Sequence, residues 1–198
     1  MIRVLDLLFS LLTLLILFLF LLIIAILIGC ESRGGALYIQ KRVGKNGIDF
    51  NLYKFRSMRI GSDHKGLLTV GKRDPRITNI GAFIRKYKID ELPQLLNVLL
   101  GDMSLVGPRP EVRKYVDLYT PEQQKVLSIR PGITDYASIE YINENQILAE
   151  AEDPEKKYIE EIMPVKIQIN TKYIDNYTVK EYFNIIFKTV EKIMLPKH

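Results

Sequence analysis

The sequence predicts a mixed α/β, mostly helical protein, in which an N-terminal membrane helix precedes a compact membrane-surface domain with a short β-hairpin. Three observations predict it. Residues 7–28 are an unbroken apolar run in which Ser10 and Thr13 are the only polar members. Two short strand-like stretches flank a turn carrying Asn46-Gly47, a strong hairpin signal. The rest alternates helical patterns with Gly and Pro breaks, and no internal repeat is visible. With 198 residues, 47% hydrophobic and 26% charged, the chain supplies one core once the membrane segment is set aside. The expected division is a membrane-inserted helix over 1–31 and a cytoplasmic domain with C-terminal interfacial helices over 32–198.

The elements follow in order. A helix over 7–28 would be roughly 33 Å long at 1.5 Å per residue, enough for a bilayer core. Arg3 is offset by Asp6 and no cleavage site follows, so the segment reads as retained rather than as a signal peptide. Arg33, Lys41, Arg42 and Lys45 follow it, which places everything after it on the cytoplasmic side. A uniform run without Pro favours a helix that spans. Strands are expected over 36–42 and 50–55, and a polar loop over 61–75. Helices are expected over 80–87 and 91–100, the second stopped by Gly101. Ser104–Val106 then leads into Gly107-Pro108-Arg109-Pro110, a turn of restricted backbone. Thr120-Pro121-Glu122-Gln123 is a helix start with a Thr cap. After Arg130-Pro131-Gly132 the chain reads as irregular and acidic, and helices over 163–176 and 179–194 close it. The last carries an apolar stripe of Ile185, Ile186, Val190, Ile193 and Met194 that suits a bilayer surface.

Composition excludes several functions. Cys30 is the only cysteine and His64 and His198 the only histidines, which leaves no disulfide framework and no Cys- or His-based metal site. A metal would have to be a hard ion on carboxylates. The net charge of +5 is unevenly spread: residues 33–88 hold fourteen Lys or Arg against three acids, whereas residues 133–155 hold seven acids and no base. The basic block touches anionic lipid, and some of its members are candidates for holding a phosphorylated substrate. It lacks the aromatic interleaving and motif context of a nucleic-acid surface, so no nucleic acid is expected.

Asp90-Glu91 is the pair best suited to chemistry. Asp90 stands at an expected helix start, where backbone N–H groups and the helix dipole favour an ionised carboxylate and phosphate oxygens. Adjacent carboxylates repel, and a divalent cation shared with phosphate would relieve that. One carboxylate could then attack phosphorus. By itself the pair reads first as an ordinary cap and first-turn acid. Arg109 on its rigid turn is a candidate phosphate clamp, or simply an exposed arginine. Lys54 and Arg56 lie at a strand end, and Arg85 and Lys88 just before the acidic pair; each also fits a solvated face.

The order of these signals is more specific than any of them. Tyr53-Lys54-Phe55-Arg56-Ser57-Met58, Ile89-Asp90-Glu91-Leu92-Pro93-Gln94-Leu95-Leu96-Asn97-Val98-Leu99, Gly101-Asp102-Met103-Ser104-Leu105-Val106-Gly107-Pro108-Arg109-Pro110 and Arg130-Pro131-Gly132-Ile133-Thr134 closely resemble the bacterial sugar transferase family. These are small monotopic phosphoglycosyl transferases of the bacterial cytoplasmic membrane. The resemblance runs from about residue 36 to residue 134. It implies transfer of a sugar-1-phosphate from a UDP-sugar to polyprenyl (undecaprenyl) phosphate, initiating polysaccharide or glycoconjugate synthesis. Asp90 would be the nucleophile that forms a phosphosugar intermediate and releases UMP. Glu91, with Asp90, would hold magnesium (Mg2+). Arg109 and Arg85 match phosphate-binding or site-organising positions, and Lys54 and Arg56 line the same region. Expected partners are the UDP-sugar, the polyprenyl phosphate and membrane lipid, with a homodimer possible.

Two stretches depart from the family. Its Ser-Pro helix break is Phe18-Leu19 here, so spanning and re-entry both stay open. Its usual Gly-Trp-Ala-Gln run is Asp135-Tyr136-Ala137-Ser138. Two other functions remain in view: a catalytically silent membrane platform for glycan enzymes, and a polyprenyl diphosphate hydrolase.

Overall fold

The computed structural model describes residues 1–62, 68 and 74–194. The polar loop expected over 61–75 falls largely outside them, as do His64 and His198. The apolar run forms a single unbroken helix, α1 (Ile2–Glu31), longer than the hydrophobic stretch itself and without a break at Phe18-Leu19. It is long and apolar enough to cross a membrane.

Burial along α1 follows one stripe. Asp6, Ser10, Ile24 and Ile28 are buried, and Thr13, Leu17 and Leu21 between them are half-buried, so successive members lie three or four residues apart. The helix's polar residues therefore face the domain, and Leu8, Leu12, Leu15, Phe18, Leu19, Leu22 and Ile26 point away from it. Both ends are bonded to the same domain. At the start, the Asp6 carboxylate accepts from Ser104 Oγ at 2.9 and 3.0 Å, from Leu105 N at 3.0 Å and from Tyr182 Oη at 2.9 Å. At the far end, the two Glu31 oxygens accept the backbone N–H groups of Asn79 at 2.7 Å and Ile80 at 2.9 Å.

The hairpin forms as expected. Strands β1 (Leu37–Val43) and β2 (Asp49–Phe55) pair antiparallel from Leu37 opposite Phe55 to Val43 opposite Asp49. The turn places Asn46 and Gly47 at positive φ, 57° and 74°, a conformation those two residue types tolerate. Helix α2 (Asn79–Lys86) starts on a Thr78 cap. Helix α3 (Gln94–Leu100) ends on Gly101 at φ 100°, the left-handed stop its sequence predicts. Strand β3 (Ser104–Val106) is followed by the short helix α4 (Arg113–Val116) and by a 3₁₀ segment over Gln123–Ser128. Thr120 and Gln123 do make the reciprocal cap of a helix start.

The stretch read as irregular is where sequence and structure differ most. Gly132–Thr134 is a strand, β4, pairing parallel with β3 in the register Ser104 to Gly132 and Val106 to Thr134. Three-residue strands carry too little pattern to announce themselves. The acidic region holds α5 (Tyr136–Glu140) and α6 (Glu144–Ala149). Next come α7 (Pro154–Lys157), a π-helical turn over Tyr158–Ile162 and α8 (Met163–Asp175), so helix begins well before residue 163. Helix α9 (Val179–Met194) has the expected bounds. Its stripe splits: Ile185 is buried in a cluster with Val106, Tyr173 and Tyr182, Ile186 and Ile193 are half-buried, and Val190 and Met194 are exposed, as are Phe183 and Phe187 outside the stripe. Phe9 of α1 packs edge-on against Phe183, which makes the outer face of α9 a neighbour of α1.

The β3–β4 contact tolerates no side chain. A Cβ on Gly132 would lie 2.1 Å from Gly107 N and 2.5 Å from Gly107 O, both backbone atoms. Gly132→Ala is expected to cost about 1–3 kcal/mol, the range for overpacking a close contact, read as a lowered unfolding temperature. An unchanged temperature would contradict the close approach.

Candidate active site

The segment carrying Asp90 is not a helix cap. Ile89–Glu91 is one 3₁₀ turn, entered through Lys88 at φ 58°, and Leu92-Pro93 joins it to α3. A non-glycine residue in the left-handed region is strained by roughly 1–2 kcal/mol, a cost commonly found at functional sites. The turn packs under β2, the strand that carries Lys54, and against α2. Asn97 on the following helix clamps this layer: its Oδ1 accepts from Tyr53 N at 3.0 Å and its Nδ2 donates to Asn51 O at 2.7 Å.

Asp90 and Glu91 are both buried, yet they sit in opposite electrostatic states. Arg109 grips Glu91 with both arms of its guanidinium, Nη1 to Oε2 at 3.1 Å and Nη2 to Oε1 at 2.6 Å. Burial works against the Glu91 charge, but Arg109 and then Lys54 outweigh it and hold the carboxyl well below its ordinary range. Glu91 in turn keeps Arg109 protonated beyond its ordinary value. Asp90 has no such partner, and its Oδ1 makes no hydrogen bond among the described residues. Burial pushes the Asp90 carboxyl up to about 6; the Glu91 charge adds to the rise, and Lys54, Arg85 and Lys88 oppose it. The expectation that Asp90 caps a helix is therefore corrected: it lies inside a 3₁₀ turn with no cap geometry, and desolvation raises its carboxyl instead. Burial also draws the Lys54 ammonium down to about 7, with Arg109 adding to the fall.

Of the residues singled out from the sequence, Asp90, Glu91, Arg109 and Lys54 thus form one interacting group. Arg85 acts on Asp90 from α2 and reaches Ser57 Oγ at 3.5 Å. Arg56 is engaged elsewhere: its Nη2 donates to Ser32 O at 2.8 Å and Ser32 Oγ at 3.0 Å, closing the end of α1 onto β2. The sequence placed Arg42 only among the cations that set orientation, yet it fixes the far side of the Arg109 turn by donating to Pro110 O and Glu111 Oε1, each at 3.1 Å. It also passed over Gln94, buried four residues beyond Asp90, whose Nε2 makes no hydrogen bond among the described residues. An unpaired buried donor costs roughly 1–3 kcal/mol, the kind of signal that only coordinates carry.

Among the described residues no group of three or more His, Cys, Asp or Glu could enclose a metal. A magnesium ion does not require one, because it commonly binds through one or two carboxylates together with substrate phosphates and water. The unpartnered Asp90 oxygen beside Glu91 fits such an ion arriving with a diphosphate.

The family model described as Bacterial sugar transferase matches residues 1–196. A UDP-N-acetylgalactosamine-undecaprenyl-phosphate N-acetylgalactosaminephosphotransferase of Aeromonas hydrophila is 40% identical over 173 residues, covering 86% of this chain and 38% of that protein. The exopolysaccharide production protein PSS of Rhizobium leguminosarum bv. phaseoli is 40% identical over 195 residues, 95% of this chain and 92% of its own length. A UDP-glucose:undecaprenyl-phosphate glucose-1-phosphate transferase of Caulobacter vibrioides is 34% identical over 195 residues, 97% of this chain and 69% of that one.

Proposed function

Because the chain belongs to the bacterial sugar transferase family, we propose that it is a phosphoglycosyl transferase moving a sugar-1-phosphate from a UDP-sugar to undecaprenyl phosphate through a phosphosugar-aspartate. The observation that supports this most is the asymmetry of two adjacent buried carboxylates. Asp90 has an oxygen, Oδ1, with no hydrogen bond among the described residues, and it is desolvated with its carboxyl pushed up to about 6, the condition of a reactive nucleophile. Glu91 is fixed and charged under Arg109.

In the first step an Asp90 oxygen bonds to the phosphorus that carries the sugar. The bond from that phosphorus to the bridging oxygen breaks, and UMP leaves with the electron pair. In the second, an oxygen of undecaprenyl phosphate bonds to the same phosphorus, the bond to Asp90 breaks, and the free carboxylate returns. Arg109 presents fixed positive charge to the diphosphate and Lys54, drawn down to about 7, adds to it while protonated, so the growing charge on the leaving phosphate meets prearranged partners. Magnesium, held by Glu91 and Asp90 with the diphosphate, would add neutralising charge there.

The full chain with a panel of UDP-sugars and magnesium should release UMP and gain the mass of one phosphosugar. A panel is needed because its relatives are named for different sugars. Release of inorganic phosphate without UMP would favour a hydrolase, and no adduct with any donor would favour a silent platform.

We also propose that α1 stays with one leaflet, its exposed apolar face in lipid. Asp6 and Glu31, at opposite ends of a helix about 45 Å long, are bonded to the same domain. A helix threaded through a bilayer would carry one end away from it. The domain would then rest on the cytoplasmic face, where the basic block meets anionic lipid. An N-terminal tag should be cleaved by protease from the same side as the C-terminus. Cleavage from opposite sides would establish spanning.

A further inference from the structure

We propose that Asp135 is a positioning residue for the phosphate clamp: it fixes the Arg109 backbone, and through it the guanidinium, to the C-terminal helices. This rests on the reading of Asp90, Glu91 and Arg109 given above. Asp135 stands where the chain departs from the family's usual glycine, and it is fully buried, at 0% exposure.

Three donors converge on its carboxylate. Oδ2 accepts from Arg109 N at 2.8 Å and from Asn170 Nδ2 on α8 at 3.0 Å. Oδ1 accepts from Ser138 N at 2.5 Å, which caps α5. Every incoming group is a donor, so only a carboxylate satisfies all three; an asparagine would turn an NH2 towards one of them. A glycine offers no acceptor at all. The adjacent Tyr136 carries the connection to α9, its hydroxyl donating to Glu181 Oε2 at 2.5 Å and accepting from Asn184 Nδ2 at 2.7 Å.

Pinning one N–H is enough because Arg109 lies between two prolines. Pro108 and Pro110 each have a fixed φ, and a residue before proline is held out of the helical region. With its own N–H tied down, Arg109 keeps little backbone freedom, and its Cβ direction is set. On the other side Arg42 holds Pro110 O. The guanidinium can then meet Glu91 with both arms, a geometry that a shift of about 1 Å would spoil, at a cost of up to about a hundredfold in rate.

Asp135→Ser separates the two jobs. Serine keeps a short cap oxygen for Ser138 N–H and removes the acceptor of Arg109 N–H. UMP release by the full chain is measured in a cycle with Arg109→Lys. The expected result is at least a tenfold fall in kcat/KM for Asp135→Ser in the native background and less than threefold in Arg109→Lys. A smaller fall, or equal falls in both backgrounds, would overturn the proposal, since a purely structural residue lowers both alike. Should Asp135→Ser fail to fold, hydrogen exchange at the Arg109 amide of the unaltered chain decides: slow exchange supports the bond to Asp135, and exchange at the rate of an open amide overturns it. That readout needs no turnover, so failure of the transferase reading is seen separately, as absence of UMP from every donor.

Discussion

Asp90→Asn is expected to lower UMP release by about ten-thousandfold or more, the scale of losing a nucleophile from an enzyme that works by covalent transfer. The amide preserves the shape of the turn but has no oxygen lone pair of comparable nucleophilicity. The same change should not destabilise the protein. A carboxyl whose folded pKa is raised contributes stability that is fully present below its unfolded value near 4 and is lost as pH rises through about 6. The ionised Asp90 is therefore a burden at pH 7, on the order of 3 kcal/mol, and the asparagine variant should lack that pH-dependent loss. In the unaltered chain the first step should climb with pH towards a plateau above about 6, as the carboxyl ionises. Removing the Lys54 charge should move that rise to higher pH, because Lys54 favours the ionised form. Phosphosugar adduct forming in Asp90→Asn at a substantial fraction of the native rate would assign the nucleophile elsewhere.

Arg109→Ala should harm both stability and turnover. Glu91 is 11% exposed at its side chain and Arg109 32%, so removing the guanidinium leaves a nearly buried carboxylate unpaired. Breaking such a pair costs about 3 kcal/mol, at the lower end of the range because Arg109 is partly solvated. For a domain of this size that corresponds to a fall of roughly 6–12 °C in unfolding temperature. Glu91 would then lose its two-armed partner and take up a proton more readily, and the diphosphate would lose the fixed charge beside it. Arg109→Lys should recover part of the stability and little of the turnover, since an ammonium replaces the charge but not the fork. An unfolding temperature within a degree of the native one, with turnover retained, would show that the pair holds neither the fold nor the substrate.

The site and the fold were legible to different depths. Short-range chemistry announced the hairpin through Asn46-Gly47, the end of α3 through Gly101, and the bounds of α9 through its Thr178 start. The order of motifs named Asp90, Glu91 and Arg109 together. Three features had no local signature. The β3–β4 pair joins three-residue strands 28 residues apart, Ser104 to Gly132, and exists only when two backbones meet. Arg56 looked like its neighbour Lys54, yet the structure engages it at Ser32, at the end of α1. The short helices in the acidic stretch were hidden because their buried residues, such as Ala137 and Leu148, come one per turn with no repeat long enough to read.

By itself the sequence determined what depends on neighbours a few residues apart: where the helix runs, where the turns fall, and which residues are available for phosphoryl chemistry. Tertiary structure alone decided the states of those residues. Asp90 and Glu91 are adjacent and nearly alike in the chain, but one keeps an oxygen with no hydrogen bond among the described residues while the other receives a guanidinium from 18 positions away. Burial and the distance to a charge set a carboxylate's protonation, and neither quantity is defined until the chain has folded.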